Sequence, residues 1–166
     1  MINHRKLIFD HLYSKISGIL VSNGYPVDIN LVIQNRVLPP GKVSWRYRTF
    51  CMLVYDGKGT TRDRNAPDFA DFGLLQFSCY ACIRNGTVEE MYQLMDSIEQ
   101  AITLDPQPEF NSETFKVREV MVVGDEMRIP EEIDEDLADG ENRTVESRIR
   151  LQVEYDYLPW QIATGN

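Results

Sequence analysis

The spacing of hydrophobic residues predicts two helices, over residues 3–20 and 87–104. In the first segment the apolar stripe comprises Ile8, Leu12, Ile16, Ile19 and Leu20. In the second segment it comprises Met91, Leu94, Met95, Ile98 and Ile102. Thr87 and Glu90 have the spacing of a capping box, which predicts that the second helix begins there. Each helix is therefore expected to bury one face.

Five further segments have the β-branched and aromatic content, or the alternation, of strands. They are residues 29–37, 47–55, 74–83, 117–123 and 145–157. Segment 47–55 is apolar throughout, which is typical of a strand that is buried on both faces. Segment 145–157 alternates instead, with its odd-numbered apolar residues on one side and its charged and amide residues on the other.

The order of these elements predicts an α+β fold. Two helices can cover one face of a mainly antiparallel sheet, which gives a two-layer sandwich. The length favours a single domain over residues 1–158, with 159–166 as a flexible tail. The segment between the second and third strands, residues 56–73, has the glycine, proline and charge content of a long exposed loop, which is expected to be mobile.

Charge is unevenly distributed along the chain. Residues 125–143 hold nine acidic and two basic side chains and are expected to form an oversized hairpin arm between two neighbouring strands. Residues 1–64 carry a net charge of +6, whereas residues 65–166 carry −15. This asymmetry has two interpretations: a solvated surface with scattered charges, or a subunit with two poles that associates head to tail.

The sequence does not favour an enzyme, a cofactor or a metal. An EF-hand loop beginning at Asp134 would match at Asp134 and Asp136 but not at the glycine and glutamate positions. Cys79 and Cys82 lie three residues apart in a predicted strand, so their thiols should point to opposite faces and be buried. An odd cysteine count indicates a reducing compartment, and no apolar run reaches membrane-spanning length.

Residues 45–48, Trp-Arg-Tyr-Arg, mix bases with aromatic rings. Such a mixture can stack on single-stranded nucleic acid. It is also typical of a strand that begins at the surface and keeps its arginine head groups in water, which is the favoured interpretation here.

The order of elements resembles that of the tail terminator, or tail completion, proteins of long-tailed bacteriophages. The matching pieces are the helix 3–20, the strand FCMLVY at 50–55, the strand LLQFSCYACI at 74–83, the helix 87–104 and the strand RIRLQVEYDY at 148–157. The acidic arm and the Pro39-Pro40-Gly41 segment are longer than the simplest members need. This difference leaves open a different head–tail connector or head completion protein.

The resemblance implies a structural neck protein of the virion that is assembled in the host cytoplasm. Members of the tail terminator family are not enzymes. They form a homo-oligomeric ring, a hexamer, which caps the tail tube, ends its polymerisation and joins tail to head. The implied partners are the chain itself, the tail tube protein, the head connector or completion protein, and phage DNA, which passes through the channel without specific binding; no membrane is involved.

In such a ring the acidic arm either contacts the basic half of the next subunit or lines the channel, where negative charge repels DNA phosphates. The candidate residues are Glu131, Glu132, Asp134, Glu135 and Asp136 on the arm and Arg46, Arg48, Arg62 and Arg64 on the basic half. The competing hypothesis is a metal-dependent nucleic-acid enzyme that uses the same acidic residues.

Overall fold

A computed structural model of the protein describes residues 4–58, 71–103, 115–128 and 144–157. The described residues form the helices α1 (His4–Ser17) and α2 (Val88–Thr103) and the strands β1 (Leu31–Gln34), β2 (Thr49–Lys58), β3 (Asp71–Arg84), β4 (Phe115–Arg128) and β5 (Thr144–Tyr157). The strands make one sheet in the order β1-β2-β3-β5-β4. Neighbours are antiparallel except β1 and β2, which are parallel. Both helices lie on one face of this sheet, so the predicted α+β class is confirmed.

The main hydrophobic core lies between that face and the two helices. In β3 the residues Leu75, Phe77, Cys79, Ala81 and Ile83 point into it, as the alternation predicted. The odd-numbered apolar residues of β5 join them: Val145, Ile149, Leu151, Val153 and Tyr155. Strand residues that pair across the sheet point to the same side, so the unbroken β3–β5 register places both sets on one face.

The helices meet this face with the predicted stripes. Helix α1 buries Ile8, Leu12 and Ile16, and α2 buries Met91, Leu94, Ile98 and Ile102. The predicted capping box begins α2: the Glu90 backbone N–H donates to the Thr87 hydroxyl at 3.1 Å, and the Thr87 N–H donates to the Glu90 carboxylate at 3.2 Å. Local sequence therefore fixes where α2 starts, and its apolar stripe fixes which side faces the sheet.

A second, smaller core lies on the other face of the sheet. It comprises Val43, Phe50, Met52 and Cys82, with partly buried apolar neighbours from β1 and from residues 38–47. Strand β2 therefore contributes Cys51 and Leu53 to one core and Phe50 and Met52 to the other. This arrangement confirms the expectation that segment 47–55 is buried on both faces.

Several predicted boundaries were wrong near the N-terminus. Helix α1 ends at Ser17 rather than at residue 20, and a 3₁₀ turn follows that closes at Gly24, whose φ is +92°. The strand predicted over 29–37 covers only Leu31–Gln34. Asn35 has a φ of +53°, which turns the chain out of the extended conformation.

Strand β2 begins at Thr49 rather than at residue 47, and the predicted loop 56–73 is shorter at both ends. Strand β2 continues to Lys58 through a bulge at which Gly57 adopts a φ of +116°. Strand β3 begins at Asp71, where it already pairs with β5. Residues 59–70, and with them the predicted mobility of the loop, lie outside the described residues.

The acidic segment was also predicted to begin too early. Residues 125–128 belong to β4 and pair with β5, ending at Arg128 opposite Glu146. The pairing of β4 with β5 confirms that the acidic segment connects two neighbouring strands. Residues 129–143 and the predicted tail 159–166 lie outside the described residues.

The first prediction concerns the α2 stripe. Leu94 and Ile98 are both 0% exposed between α2 and the sheet. We expect Leu94→Ala or Ile98→Ala to lower the free energy of unfolding by about 2–5 kcal/mol, because each leaves a cavity in a packed core. Denaturant unfolding measures the change, and the exposed Gln100→Ala serves as the control from the same helix. If the core variants unfolded like the control, the packing of α2 would be wrong.

The second prediction concerns the turn between β3 and α2. A Cβ atom at Gly86 would lie 2.6 Å from Cγ2 and 2.7 Å from Cβ of Ile83, whose side chain is itself buried. We expect Gly86→Ala to destabilise the fold by about 1–3 kcal/mol through this overlap. Gly41→Ala is the matched control, because nothing lies within 4 Å of a Cβ built at Gly41. Equal thermal stability of the two variants would contradict the close approach.

Candidate interaction surfaces

The structure describes two of the nine candidate interface residues. Arg46 and Arg48 lie in the connection that leads into β2. The other seven lie outside the described residues: Glu131, Glu132, Asp134, Glu135 and Asp136 of the arm, and Arg62 and Arg64 of the loop. The arm-to-neighbour and channel-lining hypotheses therefore stay predictions.

Arg84, the last residue of β3, organises the connection that carries Arg46 and Arg48. Its side chain is 4% exposed and points to the face opposite the helices. The Nη1 group donates to the backbone oxygens of Ser44 at 2.6 Å and Tyr47 at 3.2 Å. The Nη2 group donates to those of Pro40 at 2.7 Å and Val43 at 2.5 Å. One guanidinium thus ties residues 40–47 to the end of the central strand, and charge-assisted bonds of this kind are the stronger ones.

Trp45 is held by the same guanidinium. The Arg84 Cζ atom lies 4.5 Å from the centroid of the Trp45 ring and 5.2 Å from that of Phe50. Phe50 is fully buried, whereas Trp45 is 61% exposed. Cation–π contact with a desolvated arginine is favourable and restricts the ring. The result is a large aromatic surface that is exposed to solvent and held in a defined position.

The chain segment that carries Trp45 is basic. Residues 29–55 contain four basic side chains and no acidic one. Lys42 and Arg46 flank the tryptophan in sequence, and both are exposed. The Arg46 guanidinium lies 5.2 Å from the centroid of the Tyr47 ring, so one base of residues 45–48 contacts an aromatic ring of the same segment. Residues 45–48 form a turn that precedes the strand rather than its first residues.

Arg48 is engaged within its own chain. Its Nη2 atom lies 2.8 Å from Oε2 of Glu90, at the start of α2. Partial burial opposes ionisation of Glu90, but the hydrogen bond from Arg48 and those from Thr87 outweigh it, so the pKa of Glu90 lies below its usual value. The pair is half-exposed, so its contribution to stability is modest. Of the two candidate arginines that the structure describes, Arg48 is thus tied to α2, whereas Arg46 is exposed and contacts the neighbouring Tyr47 ring.

The uncovered half of the sheet carries a polar network centred on Arg148 of β5. Its Nε donates to the Ser78 hydroxyl at 3.2 Å, and its guanidinium lies 5.4 Å from the Tyr80 ring centroid. The Ser78 hydroxyl in turn donates to the Asp56 carboxylate. On the β4 side of Arg148, the Glu126 Oε1 atom lies 3.9 Å from the Arg148 Nη1 atom. This network joins β2, β3, β5 and β4 across the face that the helices leave open.

The cysteines lie where the alternation predicted. Cys79 belongs to the main core and Cys82 to the smaller core on the opposite face, and both are buried, free thiols. Burial, together with the nearby Glu146 carboxylate, raises the pKa of Cys82 to about 12. A hydrogen bond with Cys79 and burial raise the pKa of Cys51 as well. The thiols of Cys51 and Cys82 are therefore protonated at neutral pH and behave as small apolar groups.

The described residues contain neither a candidate metal site nor a candidate membrane-spanning helix. Among residues 4–58, 71–103, 115–128 and 144–157, no three His, Cys, Asp or Glu side chains cluster in a way that could hold a metal ion. Across the same ranges, no helix has the length and apolar character needed to cross a membrane.

In comparisons with known proteins, no protein-family model matches the chain and no curated protein matches its sequence.

The third prediction concerns Arg84. A lysine places a single ammonium where the guanidinium forks, so it cannot reach four carbonyl oxygens at once. We expect Arg84→Lys to lower the free energy of unfolding by about 1–3 kcal/mol for each carbonyl left without a donor. Limited proteolysis should then cut within residues 40–47 first. The matched control is Arg46→Lys on the exposed neighbour, which should stay within about 0.5 kcal/mol of the parent; equal stabilities would refute the role of Arg84.

Proposed function

We propose that this chain is a structural protein of a bacteriophage neck that assembles into a ring, caps the tail tube and joins the tail to the head. The observation that carries the proposal is the order of the elements in space. Along the chain, a first helix is followed by the β2–β3 hairpin, a second helix and the β4–β5 hairpin. The two hairpins belong to one sheet, and both helices pack on the same face of it. This is the architecture that the resemblance to tail terminator proteins implies.

The distribution of charge also supports assembly from identical copies. The connection around Arg84 is basic, whereas α2 carries four acidic side chains and no basic one. Complementary surfaces at different places on one subunit favour head-to-tail contacts, which generate rings when the rotation closes. Complementary charge mainly sets register and partner choice, which a ring of defined size requires.

The surface opposite the helices supplies room for neighbours. Half of it presents the Arg148 network, with charged side chains from β4 and β5 on either side. A polar face is not stabilised by further apolar packing within the chain, so it can face water, a channel or another subunit. In the proposed ring, DNA passes through the central opening without sequence-specific contacts.

The proposed role is mechanical rather than catalytic. A ring that matches the end of the tail tube on one side, and the head connector on the other, blocks the addition of further tube subunits. Such a protein belongs to the virion and is assembled in the host cytoplasm. The alternative with the nearest architecture is another head–tail connector or head completion protein, which would also form a ring but would not limit tube length.

The fourth prediction tests this proposal. Native mass spectrometry and negative-stain imaging of the purified chain should show a hexameric ring with a central hole. Added to polymerising tail tube protein, the chain should arrest elongation and be seen at one end of each tube. Rings that leave tube growth unchanged would favour the connector alternative, and divalent-dependent cleavage of DNA or RNA would refute a purely structural role.

A further inference from the structure

A groove lies between α2 and the β4–β5 hairpin, near the edge of the sheet formed by β4, whereas β1 forms the other edge. Its volume is about 200 Å³. Met95 of α2 and Val122 and Met127 of β4 line it and are only partly buried. Tyr92 of α2 and the buried Ile149 of β5 complete the lining. Three exposed carboxylates surround this apolar surface: Asp96 and Glu99 on α2 and Asp125 on β4. The groove therefore combines an apolar interior with a negative rim; we call it the α2 groove.

The size and lining of the α2 groove suit one aromatic side chain. An apolar cavity of about 150 Å³ can hold a benzene molecule, so a groove of about 200 Å³ has room for a larger ring such as an indole. Methionine thioethers adapt their shape and make favourable contacts with aromatic rings. The volume is below the range typical of sites for drug-sized ligands, which favours a side chain over a free cofactor.

The chain presents such a ring on its other surface. Trp45 is exposed and is held against Arg84, with Lys42 and Arg46 beside it in sequence. Tryptophan and arginine are the residues most enriched among those that dominate binding energy at interfaces. Because Arg84 already restricts the ring, less conformational entropy is lost when it is buried. We call this surface, Trp45 with Lys42 and Arg46, the Trp45 knob.

The knob cannot fill the groove of its own chain. Trp45 lies on the face opposite the helices, next to Arg84 at the end of β3 and Phe50 of β2. The α2 groove lies on the helical face, beside the edge strand β4, and β5 separates β4 from β3. The two surfaces are therefore on opposite sides of the sheet, so their contact requires a second copy.

We propose that the Trp45 knob of one copy inserts into the α2 groove of the next copy. The indole occupies the space between Met95 and the β4 side chains, and the positive charges of Lys42 and Arg46 meet Asp96, Glu99 and Asp125. The contact is heterologous, so it links copies head to tail. The inference rests on the proposed ring and names the contact between its neighbouring subunits.

Two variants that each remove one half of the contact test this inference. Trp45→Ala removes the knob and leaves the groove intact. The double variant Asp96→Lys with Glu99→Lys reverses the rim and leaves the knob intact. Both should fold, because the side chains are exposed and lysine is a good helix former at the surface of α2. Val21→Ala, at a 55% exposed residue that belongs to neither the knob nor the groove lining, is the control.

Sedimentation velocity and native mass spectrometry give the readout. Each variant alone should lose head-to-tail association, with its dissociation constant raised by at least ~30-fold, the effect of removing a dominant interface residue. A one-to-one mixture should form a heterodimer and nothing larger, because one intact knob meets one intact groove. The control should assemble like the parent chain, and the parent's assembly should weaken as salt rises.

Three outcomes would overturn the inference. If both variants formed rings as readily as the parent, the contact would be wrong while the proposed ring function stood. If the parent stayed monomeric up to about 1 mM, copies of the chain would not dock through these surfaces, and only the tube-capping test would then judge the proposed function. If the rim variant alone lost binding to tail tube protein while Trp45→Ala assembled normally, the groove would serve that partner instead.

Discussion

Fourteen residues of β3 pair one by one with β5, and no bulge interrupts the register. Because successive side chains in a strand point to opposite faces, this register decides which residues enter the main core and which face away. A shift of β5 by one residue relative to β3 would put Arg148 under the helices and turn Ile149 to the open face. The apolar stripes of α1 and α2 pack only on the face that this pairing makes apolar. The register is therefore the constraint on which both layers depend.

The same register fixes what happens on the open face. Even-numbered residues of β3 point there, so Ser78 and Tyr80 meet Arg148 of β5 and Arg84 lies beneath residues 40–47. The charge of Arg84 is held by carbonyl dipoles and by two aromatic rings. A buried cation is tolerated only when its donors are satisfied, so the connection has to wrap around the guanidinium. The β3–β5 register therefore places Arg84 on the open face, and Arg84 in turn positions Trp45.

Periodic features could be predicted from the sequence, and features that depend on distant partners could not. The stripe of α2, its capping box and the alternation of β5 each depend on neighbours within a few residues, and all were predicted correctly. The ends of β2, β3 and β4 were not, because residues such as Asp56, Gly57 and Asp125 have the local chemistry of loops. They are extended because the adjacent strand offers paired backbone groups, a preference that local sequence does not contain.

The candidate surfaces show the same division. Arg46 and Arg48 were both predicted as interface residues because of their charge, but only the structure reveals that Arg48 pairs with Glu90 of its own chain. Arg84 was missed because a basic residue beside Asn85-Gly86 resembles an exposed turn. Its acceptors are backbone carbonyls about forty residues earlier in the chain, and every residue has a carbonyl, so no sequence pattern marks them. The α2 groove likewise arises only when α2 packs on the β4–β5 hairpin.

The placement of the two surfaces has a consequence for symmetry. A two-fold dimer built on the Trp45 knob would place Lys42 and Arg46 against their own copies, and like charges brought together in this way oppose association. A head-to-tail contact pairs opposite charges instead, and it leaves one knob and one groove free at the ends of any open chain. Closure into a ring removes both free ends at once. A closed ring therefore offers no site for a further copy of the same chain through these two surfaces.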